Sequence, residues 1–222
     1  MRQTPFDTPP AAIIAPMLLQ RIQQQFIDSA DLKYQCAQVL APAVEAATGA
    51  ILACVTGGGK VLACGNGASS AAAQLFAAAF VGRFERERPE LAALALSADA
   101  TLVTAISTDF DARSIFSRQV RALGQAGDVL VVASYSGQGA NLLAAVEAAH
   151  ERDMVVVALT GGRGGLLAPA LRDTDVHICV PSEHPARVHE VHQLVLNALC
   201  DGVDVQLLGL PDEPFTEPES LS

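Results

Sequence analysis

The chain contains no tryptophan, and aromatic residues make up only 5% of it. Surfaces that stack single-stranded nucleic acid are built from such rings, so that class of function is disfavoured. Positive charge is scarce as well. Lys and Arg number 14 against 24 Asp and Glu, for a formal net charge of −10. Such a surface repels nucleic acid and anionic membrane alike, so neither is expected as a direct partner. The five cysteines, Cys36, Cys54, Cys64, Cys179 and Cys200, are odd in number and widely spaced, with no C-x-x-C. They read as small buried apolar residues in a reducing compartment, and the expected location is the cytoplasm. Ala11 to Leu19 is apolar but is interrupted by Pro16 and too short for a membrane span, and it does not read as a signal peptide. The zincin pattern His-Glu-x-x-His is absent, and no metal or cofactor is implied.

What is present is hydrophobic: half of the 222 residues. That is ample for the core of one α/β domain with a helical extension. Residues 1–15, with several prolines, are expected to form a flexible arm. Leu18, Ile22, Phe26 and Ile27 recur at helical spacing, as do Leu40, Val44, Ile51 and Leu52, which predicts two helices with Pro42 in the first turn of the second. Gly57-Gly58-Gly59 then turns into a strand over Lys60 to Cys64. Further strands are expected at Leu91 to Leu96, Asp128 to Ala133, Met154 to Thr160 and His177 to Val180. Runs this continuous suit parallel strands buried on both faces, joined by right-handed crossovers. A last helix from about Ala186 to Leu208 ends a single domain spanning 16–210. The acidic, proline-containing tail 211–222 is expected to be disordered.

The chemistry gathers at glycine-rich turns. Val61 to Cys64 stops at Gly65-Asn66-Gly67, followed by Ser69 and Ser70 and an alanine-rich helix. The glycines permit backbone angles that a Cβ obstructs, either serine can cap the helix, and free N–H groups at a helix start attract phosphate. The design recurs at Ser134-Tyr135-Ser136-Gly137-Gln138-Gly139. Both turns fall at the carboxyl edge of the sheet, where ligands bind in such folds. The dinucleotide fingerprint is not met, because its third glycine is missing. Asn66, Gly67, Ser69, Ser134, Ser136 and Gly137, with Asp109, are therefore the candidate binding residues for a phosphorylated small molecule. His189 and His192 share a helix face at i and i+3. They are the candidate acid–base or metal residues, with Asp109 or Glu190 as possible carboxylate partners. No serine has the elbow or neighbouring base of a nucleophile.

Four segments in combination carry a family resemblance: CGNGASS (Cys64 to Ser70), GRFERERP (Gly82 to Pro89), IFSRQVRALGQAGDVL (Ile115 to Leu130) and ALTGGRGG (Ala158 to Gly165). Over roughly 15–208 the chain resembles the SIS (sugar isomerase) family, and within it the phosphoheptose isomerase group. The resemblance implies an α/β fold, a five-stranded parallel sheet flanked by helices in a Rossmann-like three-layer sandwich, with an N-terminal helical extension. It also implies a homotetramer that holds a sugar phosphate in serine-rich turns between subunits.

Several positions depart from the enzyme pattern. The group's catalytic glutamate falls on Ala79, a histidine one turn earlier on Leu75, a second catalytic histidine on Asn197, and a glutamine on His189. The Ser-Thr-Ser-Gly-Asn-Ser turn reads Ser134-Tyr-Ser-Gly-Gln-Gly139. RFERERP, RQVRALGQAGDVL and Leu199-Cys-Asp-Gly-Val-Asp204 also resemble the DnaA initiator-associating (DiaA) branch of the family. That likeness implies a non-catalytic adaptor, with no catalytic residues, that binds the replication initiator DnaA and promotes its assembly at the origin through Leu207 and Leu208. The alternatives are a sedoheptulose 7-phosphate isomerase and a sugar-phosphate sensor.

Overall fold

In a computed structural model of the chain, the backbone of residues 11–210 and the side chains of 17–210 are described. The expected arm over 1–10 and the tail 211–222 lie outside the described residues. The expected arm over 11–15 is instead the first turn of a helix, α1 (Ala11–Thr56).

Five strands follow: β1 (Val61–Gly65), β2 (Ala93–Ala95), β3 (Val129–Ala133), β4 (Val155–Gly161) and β5 (Val176–Val180). All pair in parallel, in the order β2-β1-β3-β4-β5. The helices between and after them are α2 (Ala68–Val81), α3 (Ala100–Asp109), α4 (Ile115–Leu123), α5 (Ala140–Glu151) and α6 (Pro185–Leu208). The strands are apolar throughout because successive side chains serve different cores. Val61, Ala63, Val129 and Val131 face a layer that includes Ile51 of α1, Phe76 and Phe80 of α2, and Leu196 and Leu199 of α6. Leu62, Cys64, Leu130 and Val132 face the opposite layer, with Phe116 and Val120 of α4 and Leu142 and Val146 of α5. The result is a five-stranded parallel sheet between helical layers, as expected.

Two details differ from the sequence reading. β2 has only three residues rather than six; it is an edge strand whose pairing with β1 covers Val61 to Ala63 alone. The two N-terminal helices are one. Pro42 lies inside α1, where it removes a hydrogen bond to the Gln38 carbonyl, at a cost of about 3 kcal/mol. Both residues are exposed, so water solvates the freed carbonyl. Leu40 before the proline and Ala47 and Ile51 after it are fully packed in the core, which holds both halves of the helix in line.

By length and composition α1 is apolar enough to cross a membrane from Met17 to Thr56. Its core-facing stripe, Leu32, Cys36, Leu40, Ala47, Ile51 and Cys54, packs within this chain. Its other side is exposed: among the described residues, Met17, Leu18, Ile22, Phe26 (76% exposed) and Tyr34 (86%) are left largely uncovered.

Candidate functional site

The strand order reverses direction between β1 and β3, which opens a crevice beyond their carboxyl ends. The two glycine-rich turns form its walls.

On the β1 side, Gly67 is the residue before α2 and has φ 58°, a left-handed angle that favours glycine. Neither serine caps the helix, in contrast to the sequence expectation. Ser69 is 2% exposed and is folded under the turn, where a Cβ on Gly65 would come within 2.7 Å of it. Ser70 instead lines a cavity of about 230 Å³ with Gly65, Asn66, Gly67, Ser97 and Asn141, and its hydroxyl donates to Ser97 Oγ at 2.7 Å. Asn66 and Asn141 exchange two side-chain hydrogen bonds, each 2.8 Å.

On the β3 side, Ser134 Oγ accepts the Gly137 N–H at 3.0 Å, and Ser136 Oγ accepts that of Gln138 at 3.4 Å. Each oxygen is thereby fixed as an acceptor, which leaves its O–H to donate to an anion. Gly137 has φ 65° and lies so close to the next loop that a Cβ would come within 2.1 Å of the Gly164 carbonyl oxygen. Leu166 N–H donates to Gly137 O at 2.9 Å. The two loops are thus locked together, and beside them a second cavity of about 290 Å³ is lined by Tyr135, Ser136, Gln138, Gly162, Arg163 and Glu183.

The first half of α6 brings the histidines to this edge. His192 is 1% exposed and its Nε2 lies 3.0 Å from the Thr160 carbonyl oxygen. A carbonyl only accepts, so Nε2 carries the proton and Nδ1 is a lone-pair acceptor. That Nδ1 is buried without a partner. Burial pushes the His192 pKa down to about 4, partly opposed by the Thr160 contact, so the ring is neutral at pH 7. His189 is also pushed down by burial, more mildly. Its ring sits edge-on to Tyr135 at 5.5 Å and to His192 at 6.4 Å between centroids. Tyr135, His189 and His192 therefore form one aromatic row along the site. His177 donates to or accepts from Thr160 Oγ1 at 2.7 Å beneath it.

The other candidates lie elsewhere. Asp109 is exposed at the last position of α3. Glu190 is committed to Ser29 and Arg187, at 2.7 Å each. Leu207 and Leu208 close α6 at 37% and 38% exposed, far along the helix from the histidines. At the positions of the family's acid–base set, Leu75 is 61% exposed, Ala79 packs against the core, and Asn197 accepts from Gln193 at 3.0 Å. Among the described residues, no three His, Cys, Asp or Glu side chains converge to hold a metal ion, so the donors present do not fit one. Ser70, Ser97, Asn141, Arg163 and Glu183 belong to the site's walls and were missed in the sequence. Their membership depends on loops meeting across the sheet, for which no local pattern exists.

Comparison with known proteins is consistent with this geometry. The SIS domain model matches residues 25–161. A phosphoheptose isomerase of Methylibium petroleiphilum is 59% identical over 196 residues, covering 88% of this chain and 98% of the relative. One of Dechloromonas aromatica is 48% identical over 193 residues, 87% of this chain and 98% of the relative. Among solved structures, the phosphoheptose isomerase GmhA of Neisseria gonorrhoeae is 47% identical with a TM-score of 0.80, covering 84% of this chain and 98% of that one. The Francisella tularensis phosphoheptose isomerase is 42% identical with a TM-score of 0.81, covering 84% and 97%. These relatives overturn the expectation of a non-catalytic adaptor for the replication initiator. Near-full-length identity of this order is to proteins named as enzymes, and the substitutions at Ala79 and Asn197 did not outweigh it. With the sheet order, the two serine turns and these matches in agreement, the chain belongs to the SIS-domain family, in its phosphoheptose isomerase-like group.

Proposed function

We propose that this protein is an aldose–ketose isomerase of the phosphoheptose isomerase type, acting on sedoheptulose 7-phosphate in the cytoplasm. The observation that carries the reading is the identity of 59% over 98% of a relative named phosphoheptose isomerase. The site offers matching parts. The hydroxyls of Ser134 and Ser136 and the backbone N–H groups of the two turns bind the phosphate, and the start of α2 adds its dipole. Asn66 and Gly67 line the crevice for the sugar. His189 is neutral at pH 7 and partly exposed, which suits a general base. It takes the C1 proton of the ketose, leaving an enediolate and an imidazolium; the hydroxyl proton passes from O1 to O2, and the imidazolium gives a proton, exchangeable with solvent, to C2, so that C1 becomes the aldehyde. His192 stays neutral and orients the row.

A second reading is favoured by one specific observation: Ala79, Leu75 and Asn197 provide no carboxylate or imidazole where the family places them. On that reading the pocket binds a sugar phosphate without turning it over, as a sensor. Incubation with sedoheptulose 7-phosphate in D₂O separates the two. Formation of the aldose, its C2 proton signal depleted by deuterium to the extent that the base exchanges with solvent, supports the isomerase; calorimetric binding with no aldose formed supports the sensor; neither result leaves both without support.

The exposed apolar side of α1 also supports assembly as a homotetramer, since uncovered patches of several hundred Å² mark association sites. Light scattering should return four times the 23.1 kDa chain mass. A monomer at micromolar concentration would contradict it.

A further inference from the structure

The reciprocal amide pair between Asn66 and Asn141 has no assigned role, and its placement gives it one. Asn66 is in the turn after β1 and Asn141 is in the first turn of α5, so the pair spans the crevice at the point where the strand order reverses. Two hydrogen bonds of 2.8 Å join residues 75 apart in sequence. Asn141 Oδ1 also accepts its neighbour Leu142's N–H at 3.0 Å, which fixes the amide's orientation. Gly139 is the residue before α5, and a Cβ there would lie 3.1 Å from Asn66 Nδ2 and 3.2 Å from Asn141 Oδ1. A side chain at 139 would therefore press on the pair and require it to give by a few tenths of an ångström.

An amide presents one acceptor and one donor edge, and each partner here uses one of each on the other. Asn66 keeps a second N–H and a second carbonyl lone pair for a ligand in the cavity it lines. Among the described residues, Asn141 supplies both side-chain hydrogen bonds that choose between the two flipped orientations of the Asn66 amide.

We propose that Asn141 is a positioning residue for sugar-phosphate binding: it acts through Asn66, fixing that amide's orientation and the spacing of the two serine turns. This rests on the ligand reading above. The test is calorimetry with sedoheptulose 7-phosphate on the full chain and on Asn66→Ala, Asn141→Ala and the double variant, with thermal midpoints alongside. Two neutral hydrogen bonds on a preorganised group correspond to about a tenfold loss of affinity. The expected result is that each single variant loses about tenfold and the double variant loses no more than either, because the pair acts as a unit. Midpoints should stay close to the parent's. In amide spectra, the Asn66 side-chain resonances should shift on Asn141→Ala even without ligand. Parent-like affinity in Asn141→Ala, or losses that simply add, would overturn the proposal. If the parent chain itself fails to bind, the ligand reading fails first and this role goes with it.

Discussion

The two ends of α6 solve the same problem in opposite ways. Each buries a polar side chain, and each leaves one polar atom without a partner: His192 Nδ1 at the site end and Asp204 Oδ2 at the far end. At the far end the side chain meets a basic partner. Asp204 Oδ1 receives Arg88 Nε at 2.5 Å, and the guanidinium also donates to the carbonyls of Ala79 and Phe80 at 2.8 and 2.9 Å. Arg88 thus ties the last turn of α2 to α6. At the site end the charge is suppressed, and the imidazole is held neutral by its surroundings. One end is an anchor that requires its charges; the other is a chemical surface that excludes one.

The largest effect should come from breaking the anchor. Arg88→Ala leaves a carboxylate buried without its counter-charge and should destabilise the fold by about 3–5 kcal/mol, measured by urea unfolding. A small loss would mean that water or a rearranged loop replaces the guanidinium, and the contrast between the ends would fail.

Next is the pH response of the neutral end. The His192 pKa is lowered to about 4 from an ordinary 6.5. The unfolded chain takes up the proton first, so the contribution to stability is whole above pH 6.5 and is lost as pH falls towards 4. The loss should reach about 3 kcal/mol across that window. His192→Gln should flatten the unfolding profile there while leaving the anchor intact. An unchanged profile would place the titration elsewhere.

A smaller effect should separate binding from stability. On the proposed ligand reading, Ser134→Ala removes a hydroxyl offered to the phosphate and should weaken sedoheptulose 7-phosphate by about 2 kcal/mol; losing the acceptor of the buried Gly137 N–H should cost about 1 kcal/mol in unfolding, well below the cost of Arg88→Ala. The reverse pattern is expected for Arg88→Ala, apart from its cost in folded protein. The smallest effect belongs to the end of the helix. Leu207→Ala and Leu208→Ala truncate half-exposed side chains and should each cost under about 1 kcal/mol, with binding unaltered.

The sheet was legible because parallel strands packed on both sides carry unbroken apolar runs, as in Val129 to Ala133. β2 was overread at its ends: Leu91 N–H turns to the Phe80 carbonyl of α2 instead of the sheet, and Ala92 and Leu96 each keep a single hydrogen bond to β1, beyond the three-residue ladder. The break at Pro42 was plausible locally; Leu40 and Ile51 decided against it through packing, which propensity does not register. The turns of the site showed themselves through glycine and serine. What they hold did not. Ser69 and Ser70 are adjacent, and only the close approach to Gly65 buries one and presents the other. His189 and His192 are likewise one helical turn apart, and the Thr160 carbonyl makes them chemically different. Asn141 resembles any polar residue at a helix start until Asn66 meets it from 75 positions away.

The reach of α1 has a thermodynamic consequence. Its 46 residues extend about 70 Å, and much of that length carries apolar groups left largely exposed by the described residues. If further copies cover that side, folding and assembly share one equilibrium, and mass action governs both. The unfolding temperature should then rise with protein concentration, and dilution alone should act as a mild denaturant.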